Sequence, residues 1–215
     1  MKNYEGIYNR YIKRILDFIT AIILTILLLP LFLFITVVIR ISSGPPVLYI
    51  SQRGGYQGKT FSIYKFRTMI RNADQLGGGT TAFKDKRITK VGHFLRNTKL
   101  DEIPQLLNII KGEMSFVGPR PELVKYTSNY KEEEEIILKV RPGITDYSSI
   151  EYINLGVIVG ENNAEEVYEK EILPKKNKLR MKYARRVSFG TDCHLIIITL
   201  VKIIRIIFCN IIDRE

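Results

Sequence analysis

The chain has 215 residues, 46% of them hydrophobic, with two cysteines and a formal net charge of +11. That length suits one compact domain with an additional segment and argues against two full domains. The charge calls for an anionic partner, whether nucleic acid, nucleotide or lipid, while Cys193 and Cys209 make neither a CxxC nor a metal-ligand spacing and speak against a disulfide scaffold.

From Phe18 to Ile39 the sequence FITAIILTILLLPLFLFITVVI runs 22 residues without a charge, long enough to reach across a bilayer core. It is too long for the apolar part of a signal peptide and lacks a small-residue cleavage site. Pro30 in its middle removes the hydrogen bond to the carbonyl of Ile26, which predicts a kink or break. Arg10, Lys13 and Arg14 precede the segment and Arg40, Arg53 and Lys59 follow it, so both flanks prefer the cytoplasm. A helical hairpin re-entering one leaflet satisfies both flanks and a span only one; re-entry is the slightly favoured expectation.

"PPVLYISQRGGYQGKTFSIYKFRTMI" reads as a β-hairpin, with alternation through Phe61, Ile63, Lys65 and Arg67. Gly77 to Gly79 form a loop, and "VGHFLRNTKLDEIPQLLNIIKG" from Val91 is helical in pattern, with Lys111 and Gly112 as its stop. The acidic run 132–135 is a solvated helix face. From Lys175 to Arg205 stand nine basic residues against one acid, Asp192, yet few aromatics accompany them and a nucleic-acid footprint is not expected. In the closing apolar stretch LIIITLVKIIRIIFCNII, Thr199, Lys202, Arg205 and Cys209 make a narrow polar stripe. Such a helix lies in the membrane interface or packs on the domain's own core.

Asp101 and Glu102 stand near the start of an apolar helical pattern, where the helix dipole favours a carboxylate, and a cap is the plain reading. Around them in sequence are Lys65, Arg67, Arg87, Arg96, Arg120 and Arg141. Arginine forks suit phosphate oxygens, and a carboxylate among them suits magnesium ligation or attack on phosphorus. The chain has no GxxxxGK[ST], GxGxxG or DxD, so the candidate is an arginine-rich phosphoryl site beside a membrane.

"QRGGYQGKTFSIYKFRTM", "DKRITKVGHFLRNTKLDEIPQLLNIIKGEMSFVGPRPEL" and "RPGIT" resemble the bacterial sugar transferase family, the monotopic polyprenyl-phosphate phosphoglycosyl transferases that begin O-antigen, capsule, exopolysaccharide and N-glycan assembly. The resemblance runs from about Lys13 to Thr145 and is to the family's short form. It implies a mixed α/β fold with three parts: a re-entrant membrane helix hairpin in 1–41, a compact cytosolic catalytic domain in 42–193 and an amphipathic interfacial helix in 194–215. Asp101 would attack the sugar-linked phosphorus of a UDP-sugar and release UMP, and polyprenyl phosphate would then attack the covalent phosphosugar intermediate. Glu102 would act as base or in orientation, with Mg²⁺ beside Asp101. Arg96 and Arg120, then Arg67 and Arg141, are expected to contact phosphate, with Lys65 a further substrate contact or, like Asp85, a structural partner. The expected location is the cytoplasmic face of the bacterial inner membrane, with membrane lipid as a partner, no nucleic acid, and a homodimer left open. The alternative is a membrane-tethered protein that binds nucleotide or lipid phosphate without chemistry. The chain departs from common family patterns at Leu29, His93, Lys99 and Asp146.

Overall fold

The structure, a computed structural model, describes residues 3–76, 78–82, 85–161 and 163–212. Its first long element is helix α1, Lys13–Ser43, which continues without a break through Pro30, where the sequence pattern predicts a kink or break. Proline removes its own hydrogen bond, but the turns on either side keep theirs and hold the helix together. What the helix touches sets its position. Asp17, Ala21, Leu24, Leu28, Phe32, Ile35 and Ile39 recur every three or four residues and pack on the body along its length, Ala21 with Phe61, Ile63 and Ile109, and Ile39 with Phe66 and Leu95. Arg14 donates to the carbonyls of Ile109 and Ile110 at 2.6 and 2.8 Å, fixing the same face near the N-terminal end. The opposite face is bare: Ile26 is 70% exposed and Phe34 66%. Only 11% of the most apolar window is buried, so α1 is not the core helix of a soluble domain, although it is long and apolar enough to cross a membrane.

Strands β1 (Leu48–Gly54) and β2 (Thr60–Phe66) form the expected antiparallel hairpin, with Leu48 opposite Phe66 and Gly54 opposite Thr60. Phe61 and Ile63 share a face and enter the α1 cluster, and the same alternation carries Lys65 toward Glu102. Helix α2 (Lys90–Thr98) follows, capped by Thr89, whose hydroxyl oxygen accepts from the Gly92 amide at 2.9 Å. The single helical run expected from Val91 to Gly112 is divided. Lys99 adopts φ +60° and ends α2, a 3-10 segment occupies Leu100–Gln105, and helix α3 spans Leu106–Lys111. Pro104, which brings no amide hydrogen, sits inside the 3-10 segment. Gly112 at φ +84° closes α3 as expected.

Strands β3 (Ser115–Val117) and β4 (Gly143–Thr145) pair in parallel, and between them lie helix α4 (Val124–Thr127) and a 3-10 segment, Glu132–Lys139, that contains the acidic run. Behind the pair, Gly118 and Gly143 meet back to back: a Cβ on Gly143 would stand 2.1 Å from the Gly118 nitrogen. Short helices α5 (Tyr147–Glu151), α6 (Leu155–Val159) and α7 (Ala164–Val167) lead to α8 (Leu173–Arg186) and α9 (Phe189–Ile212). The N-terminus and α9 are tied together at Asp192, which accepts from the Tyr8 hydroxyl at 2.7 Å and pairs with buried Lys13 at 2.5 Å.

The polar stripe of α9 faces the body. Thr199 and Thr145 share a hydroxyl hydrogen bond of 2.6 Å and Lys202 donates to the carbonyl of Ile150 at 2.9 Å, while Arg205 is exposed. The Cys209 side chain lies outside the described residues. Two cations of the basic C-terminal run, Lys176 and Arg180, are also turned inward, onto Glu122.

Candidate active site

A cleft of about 1530 Å³ opens between the hairpin, α2, the 3-10 segment after it and α9. Lys65, Arg67, Arg96, Lys99, Asp101, Glu102 and Arg120 all line it. The expected site residues therefore converge, with Lys99 beside them, from three separate stretches of sequence, with one exception. Arg141 is absent from the lining: its Nε donates to the Gly112 carbonyl at 3.1 Å and its guanidinium lies over the Tyr56 ring at 4.9 Å.

The acidic pair is divided in its bonding. Glu102 accepts from Lys65 at 2.9 Å and is held by both terminal nitrogens of Arg120, Nη1 at 3.1 Å and Nη2 in a short ion pair. Burial works against its charge, yet Arg120 and Lys65 outweigh it and keep the carboxyl well below the usual glutamate range. Arg120 also donates to the Ile144 carbonyl at 3.0 Å, so the fork is fixed at both ends.

Asp101 is 8% exposed, and no hydrogen bond or ion pair to its carboxylate is found among the described residues. Burial pushes its carboxyl above the usual aspartate range, against the attraction of Lys65 and with the added repulsion of Glu102; Arg96 and Lys99 pull it back. One carboxylate of the pair is thus locked to cations, and its neighbour lines the cleft without a bonded partner among the described residues.

Arg96 is oriented by two hydroxyls that motif reasoning did not single out: its Nε donates to Thr68 at 2.8 Å and its Nη1 to Thr81 at 3.0 Å. The approach depends on Gly92, where a Cβ would stand 1.9 Å from the Thr68 carbonyl oxygen. Arg67 lines the cleft but is also a clamp, its Nη2 donating to the carbonyls of Ser43 and Gly44 at 2.8 and 2.6 Å at the C-terminal end of α1. Asp85 pairs with Arg87 at 2.7 Å, a structural partnership as expected. Of the glycine run 77–79, Gly77 lies outside the described residues, and Gly78 and Gly79 line the cleft.

A second network backs the far end of the cleft. Glu122 pairs with Arg180 at 2.5 Å and Lys176 at 3.5 Å and accepts a short bond from the Tyr168 hydroxyl. Burial lowers Lys176 to about 8 despite Glu122, whereas Glu122 itself is held far below the usual range by Arg180 and Lys176 against the cost of burial. Lys176 and Tyr168 line the cleft, and neither stands out in the sequence because the stretch around them reads as surface.

No three His, Cys, Asp or Glu side chains among the described residues form a metal cage. Magnesium commonly takes one or two protein carboxylates and completes its shell with phosphate oxygens and water, and the chemistry of Asp101, with no bonded partner among the described residues and with Arg96 and Lys99 nearby, fits the protein part of that pattern.

Comparison with known proteins agrees with this layout. The family model for bacterial sugar transferase matches residues 8–206. The UDP-glucose:undecaprenyl-phosphate glucose-1-phosphate transferase of Escherichia coli K12 is 34% identical over 198 residues, covering 90% of this chain and 40% of the relative. An uncharacterized sugar transferase of Bacillus subtilis, EpsL, is 35% identical over 193 residues, with 90% and 87% covered. The UDP-N-acetylgalactosamine-undecaprenyl-phosphate N-acetylgalactosaminephosphotransferase of Aeromonas hydrophila is 37% identical over 143 residues, 65% of this chain and 34% of the relative. The chain spans roughly a third to two fifths of the length of the E. coli and Aeromonas relatives and most of the length of EpsL. Since the matched region runs from ahead of the bare apolar helix, through the Asp101 cleft, to the inner face of α9, this chain belongs to the bacterial sugar transferase family.

Proposed function

We propose that the protein transfers a phosphosugar from a UDP-sugar to polyprenyl phosphate in two displacements at Asp101, giving a polyprenyl-diphosphate-linked sugar and UMP. The observation that carries this reading is the divided pair: Glu102 is neutralised by Lys65 and Arg120, while Asp101 faces the cleft unbonded. In the first displacement an Asp101 carboxylate oxygen forms a bond to the sugar-bearing phosphorus, and the bond from that phosphorus to the bridging oxygen breaks. UMP departs with the electron pair. In the second, a phosphate oxygen of the acceptor attacks the same phosphorus and the Asp101 carboxylate is released. The names of the E. coli and Aeromonas relatives support both substrate classes.

Two anions must approach each other, so charge has to be offset before attack. Arg96, held by Thr68 and Thr81, is placed to take phosphate oxygens, and the Arg120 fork shares Glu102 with the same cleft. Glu102, paired twice and held strongly acidic, acts in orientation rather than as a base. Asp101 would hold Mg²⁺ together with substrate phosphate oxygens. When bound, the ion supplies charge neutralisation at the reacting phosphoryl group.

The same reading extends to the membrane. A helix of 31 residues is about 46 Å long, and a span would carry most of it away from the cytosolic body. The contact stripe from Asp17 to Ile39 supports a seat in which α1 stays on the body, with its bare face toward the lipid and both ends toward the cytoplasm. This monotopic seat takes the place of a sharply broken hairpin and brings a lipid phosphate and a soluble nucleotide to one cleft.

Nucleotide release by the purified protein with Mg²⁺, undecaprenyl phosphate and a panel of UDP-sugars tests the reading. UMP from wild type, absent with Asp101→Asn, is expected, and the active donor identifies the sugar. UDP as product, or undiminished UMP from the variant, would sink it, and no nucleotide from any donor would leave a binding protein.

A further inference from the structure

α9 has two unlike sides. At about 100° per residue, Thr199, Lys202, Ile203 and Ile206 share one side, and Ile197, Leu200, Val201 and Ile204 share the other. The first side meets the body through the Thr145 and Ile150 bonds, and Thr199, Ile203 and Ile206 line the cleft. The second is 50 to 61% exposed and apolar throughout. Across the cleft, α6 contributes Leu155 and Val157 to the same lining, and Val157 is 61% exposed. The space that holds Asp101 among cations therefore continues into an apolar wall. A single helix, about 10 Å thick, separates that wall from the bare outer face.

A nucleotide sugar is polar over its whole length and gains nothing from such a wall. A phosphate head joined to an isoprenoid tail matches both parts of the space, the head by charge and the tail by apolar contact. We propose that Leu155 and Val157 of α6 with Ile203 and Ile206 of α9 form the subsite for the first isoprene units of the acceptor. The inference rests on the acceptor half of the proposed function. The tail passes over the edge of α9 from the bilayer, and the inner side of the helix guides the phosphate toward Asp101. Chain selectivity then resides in this wall, and membrane affinity in the outer face.

The test is photolabelling of full-length Asp101→Asn protein in lipid nanodiscs with a polyprenyl phosphate carrying a diazirine in its first isoprene units, read by peptide mass spectrometry. Labels on Leu155, Val157, Ile203 and Ile206 that excess undecaprenyl phosphate removes are expected. Labels confined to Ile197, Leu200, Val201 and Ile204, or labels that excess acceptor does not displace, overturn the assignment. Labelling needs no turnover, so failure of the transferase reading would show separately, as absent UMP release by the wild-type protein with the labelling intact. In kinetics, Ile203→Asn is expected to raise the KM for undecaprenyl phosphate about tenfold, the order for removing one apolar contact of this size, and to leave the KM for the UDP-sugar much less affected. An equal rise in the KM for both substrates contradicts the subsite, and Val157→Asn provides the same comparison at a 61% exposed site where misfolding is not a concern.

Discussion

Two adjacent carboxylates in this chain have opposite surroundings, and each predicts a different mutant. Asp101→Asn removes the unbonded carboxylate and should lower turnover by at least about 10³-fold. Its folded-state pKa is raised above the unfolded value, so ionised Asp101 costs stability at neutral pH. The asparagine variant should consequently melt no lower than wild type, and a clear drop in Tm would contradict the assignment of strain to this charge. The same shift fixes the acid limb of the rate profile. Activity should fall as pH drops through a value above the ordinary 3.8, measured as UMP release against pH. Glu102→Gln is the reverse case. It leaves Lys65 and Arg120 without their anion in a buried site and should cost about 3 kcal/mol in chemical denaturation, with a smaller loss of turnover than Asp101→Asn. The acidic pair was legible in the sequence as a phosphoryl-site candidate, but its division was not, because it depends on which carboxylate Lys65 and Arg120 reach across 37 and 18 residues.

At the scale of elements, alternation about a Gly-rich turn recovers the hairpin, since Phe61 and Ile63 have one buried face to fill, while its register is seen only in the fold. The division of the 91–112 run was hidden. Lysine rarely takes φ +60°, and nothing in Thr-Lys-Leu-Asp announces it; the requirement that Asp101 enter the cleft while Leu95 and Leu106 stay in the core overrides the local pattern. Arg141 likewise follows the backbone: Gly143 lies against Gly118, and the arginine two residues earlier binds Gly112 and Tyr56 outside the cleft. Gly143→Ala would force those strands apart and should destabilise the fold by more than about 2 kcal/mol, read from denaturation midpoints. The basic C-terminal run reads as a surface footprint, yet Arg180 is 0% exposed because Glu122 lies beneath it. Glu122→Gln should cost about 3 to 5 kcal/mol, since it leaves Arg180 buried without its anion. Glu122 has a lowered folded pKa, so its contribution is present above the unfolded glutamate value and lost only as pH falls through the much lower folded one.

For the whole molecule, two helices, α1 and α9, carry bare apolar outer faces, and α9 lines a cleft rich in cationic side chains. The apolar segment and the charges on both its flanks were legible in the sequence, but the contact stripe on α1 that supports the proposed one-sided seat appears only in the fold. With Cys193 and Cys209 replaced by serine, single cysteines at Tyr11 and Ser42 should react with an impermeant thiol reagent from the cytoplasmic side in membrane vesicles. Labelling of one from each side would establish a span. The central claim, that the phosphosugar resides on Asp101 between two displacements, is tested most directly by isotope exchange between labelled UMP and UDP-sugar without acceptor. Exchange by wild type that disappears in Asp101→Asn is the predicted result. Complete transfer without any exchange, or exchange that survives the substitution, would contradict it.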